Sequence, residues 1–193
     1  MSLTAKLPEK KAIVLLAEGF EEVETVTPID YLRRAGAEVT VAAIGNSLTV
    51  KGSRGIQVTA DTMLEELVKQ GFGSWDAVIV PGGMPGAKNL AASKETSALL
   101  KETAAAGKLI CAICASPAVV LSPLGLLSGK KFTCYPGMEE TVSEGTWLET
   151  RVVVDGNIIT SRGAGTAGEF SIAIIAALSG KDEAEKIAKA VLL

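Results

Sequence analysis

Histidine is absent from all 193 residues of the chain. That absence excludes Ser-His and Cys-His dyads, histidine metal sites and imidazole acid/base catalysis. Any chemistry must come from thiols, carboxylates, Tyr, Lys, Arg and the backbone. Cysteine is scarce too: Cys111, Cys114 and Cys134 are too few to staple a chain of this length with disulfides, so a reducing cytoplasm is the expected compartment. A basic surface is also missing. The net charge is −3, the pI is about 5.2 and Lys and Arg nowhere cluster, so no nucleic-acid partner is expected. No apolar run reaches the roughly 18 to 20 residues needed to cross a bilayer, which argues against a membrane partner. The opening "MSLTAKLPEKK" has no apolar segment of a secretory signal, and residues 1–10 or so read as a disordered or tag-derived N-terminus.

What the chain does have is apolar sequence: 48% of residues are hydrophobic, and there are 20 Gly. At this length one domain over 1–193 is expected, with a core of real size. Short apolar runs bounded by glycine read as buried strands: "KAIVLLA" (11–17), "EVTVAAIG" (38–45), "WDAVIVPGG" (75–83) and "KLICAI" (108–113). Helices are expected between them. "EEVETVTPIDYLRRAG" (21–36) places Val23, Val26, Ile29 or Tyr31, and Leu32 on one face, with a bend at Pro28. "GAKNLAASKETSALLKETAAAG" (86–107) reads as one or two helices, and "SPAVVLSPLGLL" (116–127) as a short one. "LTVKGSRGIQVTA" (48–60) alternates about Gly52 and Gly55 as a hairpin does. "KFTCY", "WLETRVVVDG" and "NIITSRG" are further strands, the last two joined at Asp155-Gly156, and two helices close the chain. Alternating strands and helices predict one α/β domain with a mostly parallel sheet covered on both faces.

In such a sheet the ligand site lies beyond the C-terminal strand ends. Two ends stand out, "VPGG" and "ICAIC". Cys114 falls where a buried strand turns sharply into a helix, among the small residues Ala112, Ala115 and Ser116, as on a nucleophile elbow. On this reading the helix N-terminus lowers the thiol pKa, and the backbone N–H groups of Gly83 and Ala115 hold an oxyanion. The plainer reading makes Cys114 an inert core thiol. Cys111 completes a C-x-x-C, but three residues of strand span about 10 Å, too far for a disulfide, so Cys111 is expected in the core. Cys134 is either an edge-strand residue or a resolving thiol. Glu18, Glu21, Glu22 and Glu24 follow the first strand at the same edge. For Glu21 and Glu22 the expected role is only to complement the helix dipole. Glu24 can instead turn inward, stay protonated beside the thiol and donate to the thiolate.

These residues carry a resemblance. "GFEEVETVTPID", "RRAGAEVTVA", "VPGGMPGAKNL", "ICAICASPAVVL" and "ITSRGAGTAGEF" together resemble the ThiJ/PfpI superfamily, closest to the branch of the Parkinsonism-associated deglycase and its bacterial relatives. The resemblance covers nearly the whole chain. It implies a flavodoxin-like three-layer sandwich, usually a homodimer, with the reactive cysteine at Cys114, its protonated carboxyl partner at Glu24, and oxyanion contacts at Gly83 and Ala115. Arg54 in "KGSRG" matches an arginine that in relatives lies near the site across the dimer interface, and it is assigned an anion contact. Two positions depart from the pattern. Tyr135 stands where many relatives carry histidine, which weakens the peptidase reading and removes the glutamine amidotransferase one, and with Arg54 it is assigned a substrate or anion contact. Ala164 stands where close relatives often have proline.

The expected function is a cysteine-dependent glyoxalase or deglycase acting on reactive dicarbonyls such as methylglyoxal or on their glycated adducts. The Cys114 thiolate adds to the aldehyde carbon, Glu24 moves a proton between adjacent carbons, and water releases a 2-hydroxy acid, with no cofactor or metal required. The alternative is an oxidative-stress sensor or redox-regulated chaperone in which Cys114 becomes a sulfenic or sulfinic acid. A thiazole-biosynthesis role rests only on the ThiJ name, since "GGMPGAKNL" lacks phosphate-loop spacing.

Overall fold

The apolar runs form the middle layer of the fold. In the computed structural model, which describes residues 10–71 and 75–193, Lys11–Leu16 (β1), Glu38–Ala43 (β2), Thr49–Lys51 (β3), Gln57–Thr59 (β4), Thr62–Met63 (β5), Ala77–Val80 (β6), Leu109–Ile113 (β7), Lys131–Phe132 (β8), Thr146–Trp147 (β9), Val152–Asp155 (β10) and Ile158–Ser161 (β11) are strands. The reading of the N-terminal ten residues falls, save for Lys10, outside the described residues. A seven-stranded sheet runs β10-β11-β7-β6-β1-β2-β5. Every pair in it is parallel except β10–β11, the hairpin that turns at Asp155-Gly156. β3–β4 is the expected separate hairpin. "KFTCY" and the start of "WLETRVVVDG" do not join the main sheet: β8 pairs with β9 in a short ribbon of their own.

Side chains alternate across the sheet and so build two cores. Ala12, Val14 and Leu16 of β1 face one side, where Glu22–Arg34 (α1) packs Ile29 and Leu32. On the same side Ala167–Ser179 (α5) packs Phe170, Ile174 and Ile175, and Lys181–Ala190 (α6) packs Ile187. Ile13 and Leu15 face the other side, against Leu64 of Leu64–Lys69 (α2), Leu90 of Gly86–Ala92 (α3) and Leu99 and Leu100 of Lys94–Ala105 (α4). The result is the expected three-layer α/β sandwich. The stretch 86–107 breaks into two helices because the Ser93 side chain caps α4 by accepting from the Thr96 amide.

α1 buries a different face from the one its apolar residues suggest. Thr25, Pro28, Ile29 and Leu32 point inward at the i, i+3, i+4, i+7 spacing, whereas Val23 and Val26 are 48% and 46% exposed. Glu24 lies between them in sequence and is buried, and turning it inward fixes the rotation of the helix. β5 and α2, in a stretch with no strong periodicity, escaped the sequence reading.

Candidate active site

The strand order reverses at β1. From there the chain moves one way to β2, then returns to the other side as β6. A crevice opens at such a switch point, beyond the strand ends. β1 delivers α1 to this crevice and β6 delivers Gly82 and Gly83. The neighbouring strand β7 delivers Cys114.

Cys114 has φ 64, a left-handed backbone that side-chain-bearing residues seldom adopt and that costs on the order of 1–3 kcal/mol. The surroundings hold it there. Its N–H donates to Ser161 O at 2.9 Å, and its carbonyl accepts from the Tyr135 N–H at 2.8 Å. The buried Ser116 hydroxyl donates to Pro81 O at 2.5 Å, tying the end of β6 to the turn after β7. The thiol therefore sits on a strained elbow, partly exposed, while Cys111 and Cys134 are buried free thiols. Cys111 is a core residue of β7, as expected. Cys134 is a core residue following β8, and burial raises its pKa to about 12, with Glu139 adding to the rise and Arg162 opposing it.

Glu24 turns inward to this elbow and is 1% exposed. Its Oε2 accepts from Gly82 N at 3.0 Å, and its carboxyl hydrogen-bonds the Cys114 thiol. A Cβ on Gly82 would lie 2.6 Å from both Cys114 Cβ and Glu24 Oε2, so only glycine leaves room for the pair. Oε1 lies 3.8 Å from where a Cβ on Gly163 would stand. Gly83 has φ 90, and a side chain there would collide with the backbone of Glu21, Gly19 and Phe20.

Burial raises the Glu24 pKa to about 7; the hydrogen bonds from Cys114 and the Gly82 amide oppose the rise, and the Glu21 charge adds to it. Burial also pushes the Cys114 thiol up to about 12; the Glu24 charge and hydrogen bond add to this, and the amides of Gly83 and Ala115 pull it down. The expectation of a thiol acidified by a helix N-terminus is thus overturned. The segment after Cys114 is only a π-helical turn, Pro117–Leu121, followed by the 3₁₀ turn Ser122–Leu124, and desolvation outweighs the donors. Thiol and carboxyl titrate as one unit. Of the two, the carboxyl gives up its proton before the thiol does.

Above the pair lies a cleft of about 690 Å³, walled by Ser53 and Arg54 from the β3–β4 hairpin, Met84 after β6, Tyr135 and Met138 after β8, and Ala164 before α5. All six residues singled out in the sequence, Cys114, Glu24, Gly83, Ala115, Arg54 and Tyr135, line it. Arg54 reaches the cleft from its own chain. Tyr135 is 53% exposed and stands at the rim, held through its backbone to Cys114.

Sequence reasoning missed several contributors. Glu21 lines the cleft and caps α1, its Oε2 accepting from Glu24 N at 2.7 Å. Glu22 does more than complement a dipole: it is 5% exposed and accepts hydrogen bonds from the hairpin at Ser53, Arg54 and Ile56. The two glycines of "VPGG" were the available signal for close approach at Gly82. Nothing in the sequence marked Met84, Met138 or Ser53.

Fold and site together define a class: α/β sandwich proteins with a cysteine on a strained elbow at the sheet's switch point, backed by a buried carboxyl. The DJ-1/PfpI family matches residues 10–177, and the chain belongs to it. It is 45% identical over 181 residues to protein DJ-1 homolog B of Arabidopsis thaliana, covering 94% of this chain but 41% of that protein, so it spans about two fifths of that relative's length. It is 34% identical to the glutathione-independent glyoxalase DJR-1.2 of Caenorhabditis elegans, covering 96% of this chain and 97% of that one. Among solved structures, oxidised Toxoplasma gondii DJ-1 superposes with a TM-score of 0.91 at 43% identity, over 95% of this chain and 98% of that chain.

Proposed function

We propose that the chain is a cysteine-dependent glyoxalase or deglycase acting on small reactive dicarbonyls such as methylglyoxal, or on their adducts. The observation that carries this reading is the Cys114–Glu24 pair, a thiol on a strained elbow hydrogen-bonded to a buried carboxyl at the floor of the cleft. As sulfur attacks the aldehyde carbon, the thiol proton passes to the Glu24 carboxylate, which delivers it to the carbonyl oxygen, giving a hemithioacetal and leaving Glu24 ionised. The amides of Gly83 and Ala115, which already hydrogen-bond sulfur, are at hand to stabilise the developing oxyanion. Glu24 then removes the hydrogen from the first carbon to form an enediol and returns a proton to the second carbon. The product of this step is a thioester, and water cleaves it to a 2-hydroxy acid and the free thiol. Overall, one dicarbonyl and one water give one hydroxy acid. Without histidine, Glu24 serves as both acid and base, so turnover is slow. The glyoxalase name of the nematode relative supports this reaction class.

Lactate formation from methylglyoxal tests the reading in wild type, Cys114→Ser and Glu24→Gln. The serine variant should be inactive, and the glutamine variant should lose about 10²- to 10⁴-fold, the usual contribution of a positioned acid/base. A second reading, a redox sensor, is favoured by the exposure of Cys114 alone among three thiols. Absence of turnover in wild type, with peroxide oxidising Cys114 selectively by intact mass, would overturn the enzyme reading in favour of the sensor.

A further inference from the structure

We infer that Glu22 is a positioning residue: by binding the turn of the β3–β4 hairpin it sets Arg54 in the mouth of the cleft. A carboxylate in a first helical turn is ordinarily solvated, its charge answering the helix dipole. Glu22 is instead wrapped by the hairpin. Its Oε1 accepts from Arg54 N at 2.6 Å and Ile56 N at 3.4 Å, and its Oε2 from Ser53 Oγ at 3.3 Å. Backbone N–H groups converging from a turn form an anion-binding concavity, here filled by the protein's own side chain. A Cβ on Gly52 would lie 2.5 Å from Glu22 Oε1, so the turn closes on the carboxylate only because that position is glycine.

The charge is retained despite the burial. Desolvation raises the Glu22 pKa, but the amides of Arg54, Glu22 itself and Ile56, with the Ser53 hydroxyl, outweigh it and leave it below the ordinary carboxylate value. Among the described residues the hairpin pairs with no further strand, so its placement depends on such ties and on backbone bonds such as Ser53 N to Phe20 O at 2.8 Å. Glu22 and Glu24 are two residues apart on a helix and point to different faces. One carboxyl grips the hairpin while the other meets the thiol, so the first turn of α1 sets the spacing between Arg54 and Cys114.

The inference rests on the proposed reading of the cleft for its purpose, but its test needs no turnover. Alkylation of Cys114 is measured with anionic iodoacetate and neutral iodoacetamide, the modified cysteine being identified by peptide mass. If Arg54 draws anions toward the thiol, Arg54→Ala should lower the iodoacetate-to-iodoacetamide rate ratio about three- to fivefold, the scale of one charge acting in water. Glu22→Gln, which removes the charge and one acceptor oxygen, should lower the ratio to the same level without changing the iodoacetamide rate. Gly52→Ala, which displaces the carboxylate without altering any charge, should do the same and decides the question if Glu22→Gln does not fold. An unchanged ratio in Glu22→Gln or Gly52→Ala, with Arg54→Ala lowering it, would overturn the inference. So would an Arg54→Ala ratio equal to wild type.

Discussion

Glu24 carries the most consequence for its size, because a buried carboxyl with a raised pKa links the site to stability as well as to chemistry. Its pKa moves from 4.5 to about 7 on folding. Below 4.5 both folded and unfolded chains hold the proton, while between 4.5 and about 7 only the folded chain does. Native stability therefore declines as pH rises through that window, by about 1.4 kcal/mol per pH unit and ~3 kcal/mol across it. Denaturant melts from pH 4 to pH 8 should show that fall in wild type and a flatter profile in Glu24→Gln; parallel profiles would refute the assignment. Gly82 is a residue of the same consequence with no side chain at all. Its missing Cβ is the space that the thiol and the carboxyl occupy.

At the scale of the element, α1 shows that composition alone does not say which face is buried. Leu32 lies in the core beneath the helix, and Val23, equally apolar, faces outward. Leu32→Ala should cost about 2–5 kcal/mol and Val23→Ala less than about 0.5 kcal/mol, as read from urea midpoints. Equal costs would mean that the helix is rotated from the orientation described, and Glu24 would no longer face Cys114. The rotation matters because the same helix supplies Glu21, Glu22 and Glu24, whose separate tasks depend on which way each points.

At the scale of the molecule, the family resemblance leads us to expect a homodimer. Val23, Val26 and Ile56 leave exposed apolar side chains on α1 and the hairpin, surface that association would cover. Light scattering at micromolar concentration should give twice the chain mass of 19.9 kDa. A monomer would remove the expectation that Arg54 serves a partner's site and leave it serving only the cleft of its own chain, where the structure places it.

The sequence by itself determined the alternation of strands and helices, because buried parallel strands are written as short apolar runs between glycines and helices as longer periodic ones. It also pointed to Cys114 as a candidate nucleophile: a thiol among small residues at a strand end is legible as a local pattern, and the family resemblance singled it out over the reading of an inert core thiol. The resemblance named Glu24 as the carboxyl beside the thiol, and the tertiary structure brings the two together. Local pattern leaves Glu24 only a candidate to turn inward, and the three carboxylates part company when α1 packs on the sheet and presents Glu21 to the cleft rim, Glu22 to the hairpin and Glu24 to the thiol. The structure likewise decided the protonation of the site. A pKa follows from desolvation and from donors that arrive from distant segments, such as Gly82 beside Glu24 at a separation of 58 residues, and no local pattern encodes that meeting.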